Sequence, residues 1–111
     1  MTGEARPGQM AAAEVPADAT LVDVREPDEW TAGHAPGAVH IPLGQLGARY
    51  TEIPQDGPVY VICRAGSRSN QAAHALAGAG WTVVNVSDGM TGWAAAGRPM
   101  TNEDGGPPYV A

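Results

Sequence analysis

The sequence predicts an α/β fold with a mainly parallel sheet, and three observations carry that prediction. Apolar runs rich in β-branched residues recur at residues 19–24, 59–62 and 81–86, the pattern of buried strands. Segments suited to helices stand between and after them, and strands that alternate with helices pair in parallel through crossovers. The 111 residues, with no internal repeat, suffice for one domain around a single core.

Taken in order, residues 1–8 are polar, contain Gly3, Pro7 and Gly8, and are expected to fray. Residues 10–15 allow a turn or two of helix stopped by Pro16. The first strand carries Leu21, Val22 and Val24 and is interrupted by Asp23; a carboxylate in a buried strand is costly unless paired. Residues 25–33 read as a short helix, with Pro27 in its first turn, acids at its start and Gly33 at its end. A Pro36-Gly37 turn leads to a short strand near Val39, and residues 43–50 form a helix despite Gly44 and Gly47. After the strand at 59–62, residues 70–79 are rich in alanine, and Ala72, Ala73, Leu76 and Ala77 share one helical face as core. The strand at 81–86 and a short helix over 90–96 follow. Residues 102–111, with Gly105-Gly106-Pro107-Pro108, read as a mobile tail.

Charge and cysteine usage narrow the function classes. A net charge of −6 disfavours a nucleic-acid binder. One cysteine makes no internal disulfide, no leader-like apolar segment opens the chain, and no apolar run approaches a membrane span. A cytoplasmic location is expected, with no membrane partner.

The only cysteine, Cys63, stands where a strand becomes the turn Arg64-Ala65-Gly66-Ser67-Arg68-Ser69 ahead of a helix. Free N–H groups and partial positive charge at a helix start favour thiolate over thiol. Arg64 and Arg68 add positive charge, and Gly66 lets the backbone turn sharply. These features point to a nucleophilic cysteine in an anion-binding cradle; the competing reading is an inert cysteine beside solvated arginines. In parallel sheets ligands bind beyond the carboxyl ends of strands, where Cys63 and residues 23–25 both lie.

Four segments then resemble the single-domain rhodaneses, a sulfurtransferase family. They are Leu21-Val22-Asp23-Val24-Arg25-Glu26-Pro27-Asp28-Glu29-Trp30; Gly33-His34-Ala35-Pro36-Gly37-Ala38-Val39-His40-Ile41-Pro42; the loop from Cys63 to Ser69; and Asp88-Gly89-Met90-Thr91-Gly92-Trp93 followed by Gly97-Arg98-Pro99. The resemblance implies a rhodanese-like three-layer domain over residues 8–100, with a mainly parallel central sheet flanked by helices, and a flexible tail over 101–111. Before the first clear strand the chain is shorter and less patterned than the family's usual helix.

The resemblance also implies chemistry. Cys63 attacks a sulfane sulfur donor such as thiosulfate, holds the sulfur as a persulfide, and passes it to cyanide or a thiol. Backbone groups of Arg64, Ala65, Gly66, Ser67, Arg68 and Ser69 cradle the outer sulfur, and the two arginines attract the anionic donor. No cofactor or metal is implied, and a protein partner is an alternative sulfur acceptor. Asp23 and Arg25 match the family's Asp-Val-Arg motif. Asp23 is expected to hold the loop backbone or Arg68, and Arg25 to pair with an acid such as Glu29; a purely structural ion pair is the alternative.

His34, His40 and His74 match no compact zinc spacing, so His34 is read as a hydrogen-bonded turn residue. Trp30, Trp81 and Trp93 are read as core. A phosphatase or arsenate reductase on the same fold needs Cys-x5-Arg, whereas Arg68 follows Cys63 with four residues between and Ser69 takes the phosphatase arginine's place. A non-catalytic binding module of this family often lacks the cysteine, which is present here.

Overall fold

The computed structural model describes residues 6–111. Among these residues five strands, β1 (Gly8–Met10), β2 (Thr20–Asp23), β3 (Val39–His40), β4 (Val59–Ile62) and β5 (Val83–Val86), form one sheet in the order β1-β5-β4-β2-β3. Every pairing is parallel. Four helices, α1 (Pro27–Ala32), α2 (Leu46–Arg49), α3 (Ser67–Gly78) and α4 (Gly89–Ala95), complete the α/β architecture. No helix among the described residues is long and apolar enough to cross a membrane.

β1 departs from the expected frayed start, most of which (1–5) lies outside the described residues. Three residues are too few to show alternation, and this strand is held by its backbone, with Gly8, Gln9 and Met10 opposite Val84, Asn85 and Val86. The helix expected over 10–15 is a single 3₁₀ turn, Ala12–Glu14. The expected helix over 43–50 is broken into a 3₁₀ turn, α2 and a second 3₁₀ turn, as two glycines in eight residues weaken a continuous helix.

Side-chain alternation along the strands sorts the core into two faces. One cluster joins Val22, Val24, Val59, Val61, Cys63 and Val83 to Ala72, Ala73, Leu76 and Ala77 of α3, the helix face read from the sequence. The other joins Leu21, Ile62 and Val86 to Met90 and Trp93 of α4 and to Ala12 and Val15. Trp93 is therefore core, whereas Trp30 and Trp81 are only half-buried.

The segment after α4 packs back on the domain. Thr101 and His34 exchange both backbone hydrogen bonds, and the Tyr109 N–H donates to the Ala32 carbonyl at 3.1 Å. A side chain at Gly33 would meet the Tyr109 backbone nitrogen at 2.8 Å, so only glycine allows this approach.

Candidate functional site

Cys63 follows the last residue of the central strand β4 and faces α3. Its side chain is only 1% exposed. Gly66 takes φ 102 and caps α3, and a side chain there would collide with the Ser87 carbonyl. That turn folds the chain back over the thiol: the Gly66 N–H donates to Cys63 Sγ at 3.1 Å, and the Ser69 hydroxyl lies 3.3 Å from it. α3 begins at Ser67, three residues before the helix read from the sequence, so its first turn belongs to the loop.

Burial pushes the Cys63 thiol up. The Ser69 hydroxyl and the backbone N–H groups of Ser69, Gly66 and Ala65 outweigh it, and the thiol ionises below its ordinary range. The loop's other side is fixed by α4, whose first N–H groups have no partner within the helix. The Met90 N–H donates to the Cys63 carbonyl at 2.8 Å and the Thr91 N–H to the Arg64 carbonyl at 3.0 Å. With these carbonyls held by α4, loop N–H groups are left for the sulfur.

Behind Ser69 a polar chain runs from the buried Asn85 out to the exposed Gln9. The Ser69 hydroxyl is 2.6 Å from Asn85 Oδ1, and Asn85 Nδ2 donates to the Gly66 carbonyl at 3.2 Å and to Gln9 Oε1 at 2.9 Å. Gln9 Nε2 donates in turn to Asn70 Oδ1 at 2.9 Å. The Ser69 hydroxyl has one proton and two acceptors within reach, Asn85 Oδ1 and Cys63 Sγ.

The arginines behave differently from one another. Arg68 forms a two-pronged ion pair with Glu29 at 2.7 and 2.9 Å. The Arg68 guanidinium holds the Glu29 carboxyl down at about 2, well below its usual range. Arg64 is exposed and pairs with no carboxylate among the described residues.

Asp23 does not hold the loop or Arg68, and Arg25 does not pair with Glu29; the structural ion pair given as the alternative is what forms. Asp23 and Arg25 pair with each other, both 0% exposed, with Arg25 Nη2 at 2.8 Å from Asp23 Oδ2 and at 2.7 Å from the Gly33 carbonyl. Strand alternation is the reason: Asp23 lies opposite Ile62 and His40, on the face away from Cys63. The acid expected for Arg25, Glu29, is taken by Arg68. His34 is the hydrogen-bonded turn residue expected, its Nδ1–H donating to the Trp30 carbonyl at 2.7 Å, and its ring stacks on Trp30 with centroids 3.5 Å apart.

The Rhodanese-like domain family matches residues 9–96, most of the chain. The chain belongs to the rhodanese-like domain family. It is 38% identical over 89 residues to a sulfurtransferase of Allochromatium vinosum, covering 79% of this chain and 83% of that one. It is 42% identical over 74 residues to YrkF of Bacillus subtilis, provisionally named a sulfur carrier protein, covering 66% of this chain and 40% of that one. The chain thus spans well under half of YrkF. Among solved structures, a rhodanese-related protein of Thermoplasma volcanium superposes with a TM-score of 0.79 at 31% identity, covering 88% of this chain and 99% of that one. A thiosulfate sulfurtransferase of Pseudomonas aeruginosa gives 0.76 at 29% identity, covering 86% of this chain and 20% of that one.

One residue of this rhodanese-like site, Asn85, is missing from the sequence reading, and another, Glu29, has a different partner there. Asn85 left a signal: a polar residue at a core-facing position of a valine-rich strand requires a partner. Glu29 is expected from the sequence to partner Arg25, and only the tertiary fold brings it to Arg68.

Proposed function

We propose that the chain is a sulfurtransferase that moves a sulfane sulfur through a persulfide on Cys63. The observation that carries this reading is one buried cysteine whose ionised form is stabilised by a hydroxyl and several backbone N–H groups at the end of a parallel strand. With the thiolate already favoured, no general base is needed for attack.

With thiosulfate as donor, the Cys63 thiolate attacks the outer sulfur. A new S–S bond forms, the bond from that sulfur to the sulfonyl group breaks, and its electron pair leaves with sulfite. The persulfide anion on Cys63 then takes the place of the thiolate, cradled by the N–H groups of residues 64–69. Cyanide attacks that outer sulfur, thiocyanate leaves, and the thiolate returns. Prearranged N–H donors around developing negative charge contribute a few kcal/mol each, on the order of those in oxyanion holes. Arg64, which pairs with no carboxylate among the described residues, is the loop charge open to an anionic donor. Asp23 and Arg25 hold the strand end beside the loop without touching the sulfur. A thiol, small or on a protein partner, accepts sulfur by the same displacement; the sulfur-carrier name of one relative favours the protein acceptor as a second reading.

Intact mass before and after thiosulfate, on the wild type and on Cys63→Ser, tests the proposal. The expected result is a gain of one sulfur atom that cyanide removes and that Cys63→Ser lacks. Absence of any gain with thiosulfate and with an organic persulfide overturns it.

A further inference from the structure

The Arg68–Glu29 pair changes what the loop selects. An arginine beside a thiolate would ordinarily draw in anions, but this guanidinium is bound by both oxygens of a carboxylate that is ionised at every working pH. The pair is partly sheltered, Arg68 being 34% and Glu29 15% exposed. Around the thiolate, the two guanidiniums of the loop are therefore balanced by Glu29 and by the thiolate itself. Glu26, at the start of α1, acts on Arg68 with the same sign as Glu29. We infer that Glu29 is a specificity-determining residue that sets the site against dianionic donors such as thiosulfate and in favour of organic sulfane sulfur donors carrying one negative charge or none. The inference rests on the sulfurtransferase reading and names its donor class.

The physical basis is that each negative charge on a donor meets a mouth whose positive potential is cancelled, so the disadvantage grows with donor charge. Glu29 has a second duty that decides the variant. Its Oε1 accepts the Glu26 N–H at 3.0 Å, closing the capping box of α1. Glu29→Gln keeps an oxygen for that bond while removing the charge and one of the two oxygens that accept from Arg68.

Thiosulfate and methanethiosulfonate form a matched pair of probes. Each transfers its outer sulfur to the thiolate, releasing sulfite and methanesulfinate respectively, and they differ by one negative charge. In Glu29→Gln, kcat/KM is expected to rise about 10-fold for thiosulfate and about 3-fold for methanethiosulfonate, as a partly screened unit charge allows. The difference should collapse at high salt. An equal change for both donors, in either direction, overturns the inference and makes Glu29 only a positioning residue for Arg68. A second readout needs no sulfur transfer. Cys63 is the sole cysteine, and its alkylation rates by iodoacetate and iodoacetamide compare an anion with a neutral reagent. Glu29→Gln should raise that rate ratio about 3-fold. Arg68→Gln, which leaves Glu29 uncompensated, should lower it and serves where the first variant does not fold. An unchanged ratio in both variants overturns the charge claim. A changed ratio without turnover of either donor sustains the charge claim and removes the sulfurtransferase reading.

Discussion

At the scale of single residues, the reactivity of Cys63 rests on hydrogen bonds more than on neighbouring charge. The Ser69 hydroxyl is the first of the groups that favour the thiolate against burial. Ser69→Ala should therefore shift the pH profile of Cys63 alkylation by iodoacetamide to higher pH and slow the reaction at neutral pH. A superimposable profile would mean that backbone N–H groups suffice. Glu29 gives a pH effect on stability. Its folded-state pKa, about 2, lies below the ordinary 4.5, so its pairing stabilises fully above about 4.5 and is lost as pH falls towards 2. The gap in Tm between wild type and Glu29→Gln should narrow over that window. Arg25→Ala would leave Asp23 buried without its counter-charge, at a cost of about 3–5 kcal/mol in urea unfolding.

At the scale of elements, the site is a junction of β4, α3 and α4. Gly66 joins the first two and leaves no room for a side chain. An alanine there meets both a left-handed backbone and the Ser87 carbonyl. Gly66→Ala should lower stability by about 1–3 kcal/mol from backbone strain alone. It should also raise the thiol pKa, because the Gly66 N–H would move off Sγ. Paired thermal melts and alkylation profiles separate the two effects. α4 matters as a clamp on the loop carbonyls, a role invisible in its composition. The sequence offers a short helix and a family-like segment there but not the clamp, because a helix start bonding two carbonyls twenty-seven residues earlier leaves no local pattern.

At the scale of the whole molecule, the sheet order puts β4 in the middle, where Cys63 has a paired strand on each side. β1 and β3 are edges of three and two residues. Native-state hydrogen exchange should accordingly protect β4 and β2 up to the global stability and release β1 and β3 earlier. Equal protection throughout would contradict that ordering. β1 is still tied to the site, because it carries Gln9, which holds Asn85 and Asn70.

Local sequence determined much about this protein: the α/β class, the three long strands, the core face of α3, and the thiol at a strand end before a glycine turn. These follow from alternation, helical spacing and turn chemistry, all of which act over a few residues. Tertiary structure alone decided which acid meets which arginine. Asp23, the last residue of β2, and Arg25, two residues on, close on each other, while Glu29 crosses thirty-nine positions to reach Arg68. It also decided that a three-residue strand completes the sheet and that Asn85 stands behind Ser69. Such pairings depend on how helices and strands dock, and a charge or an amide carries no mark in the sequence of the distant partner that packing will bring to it.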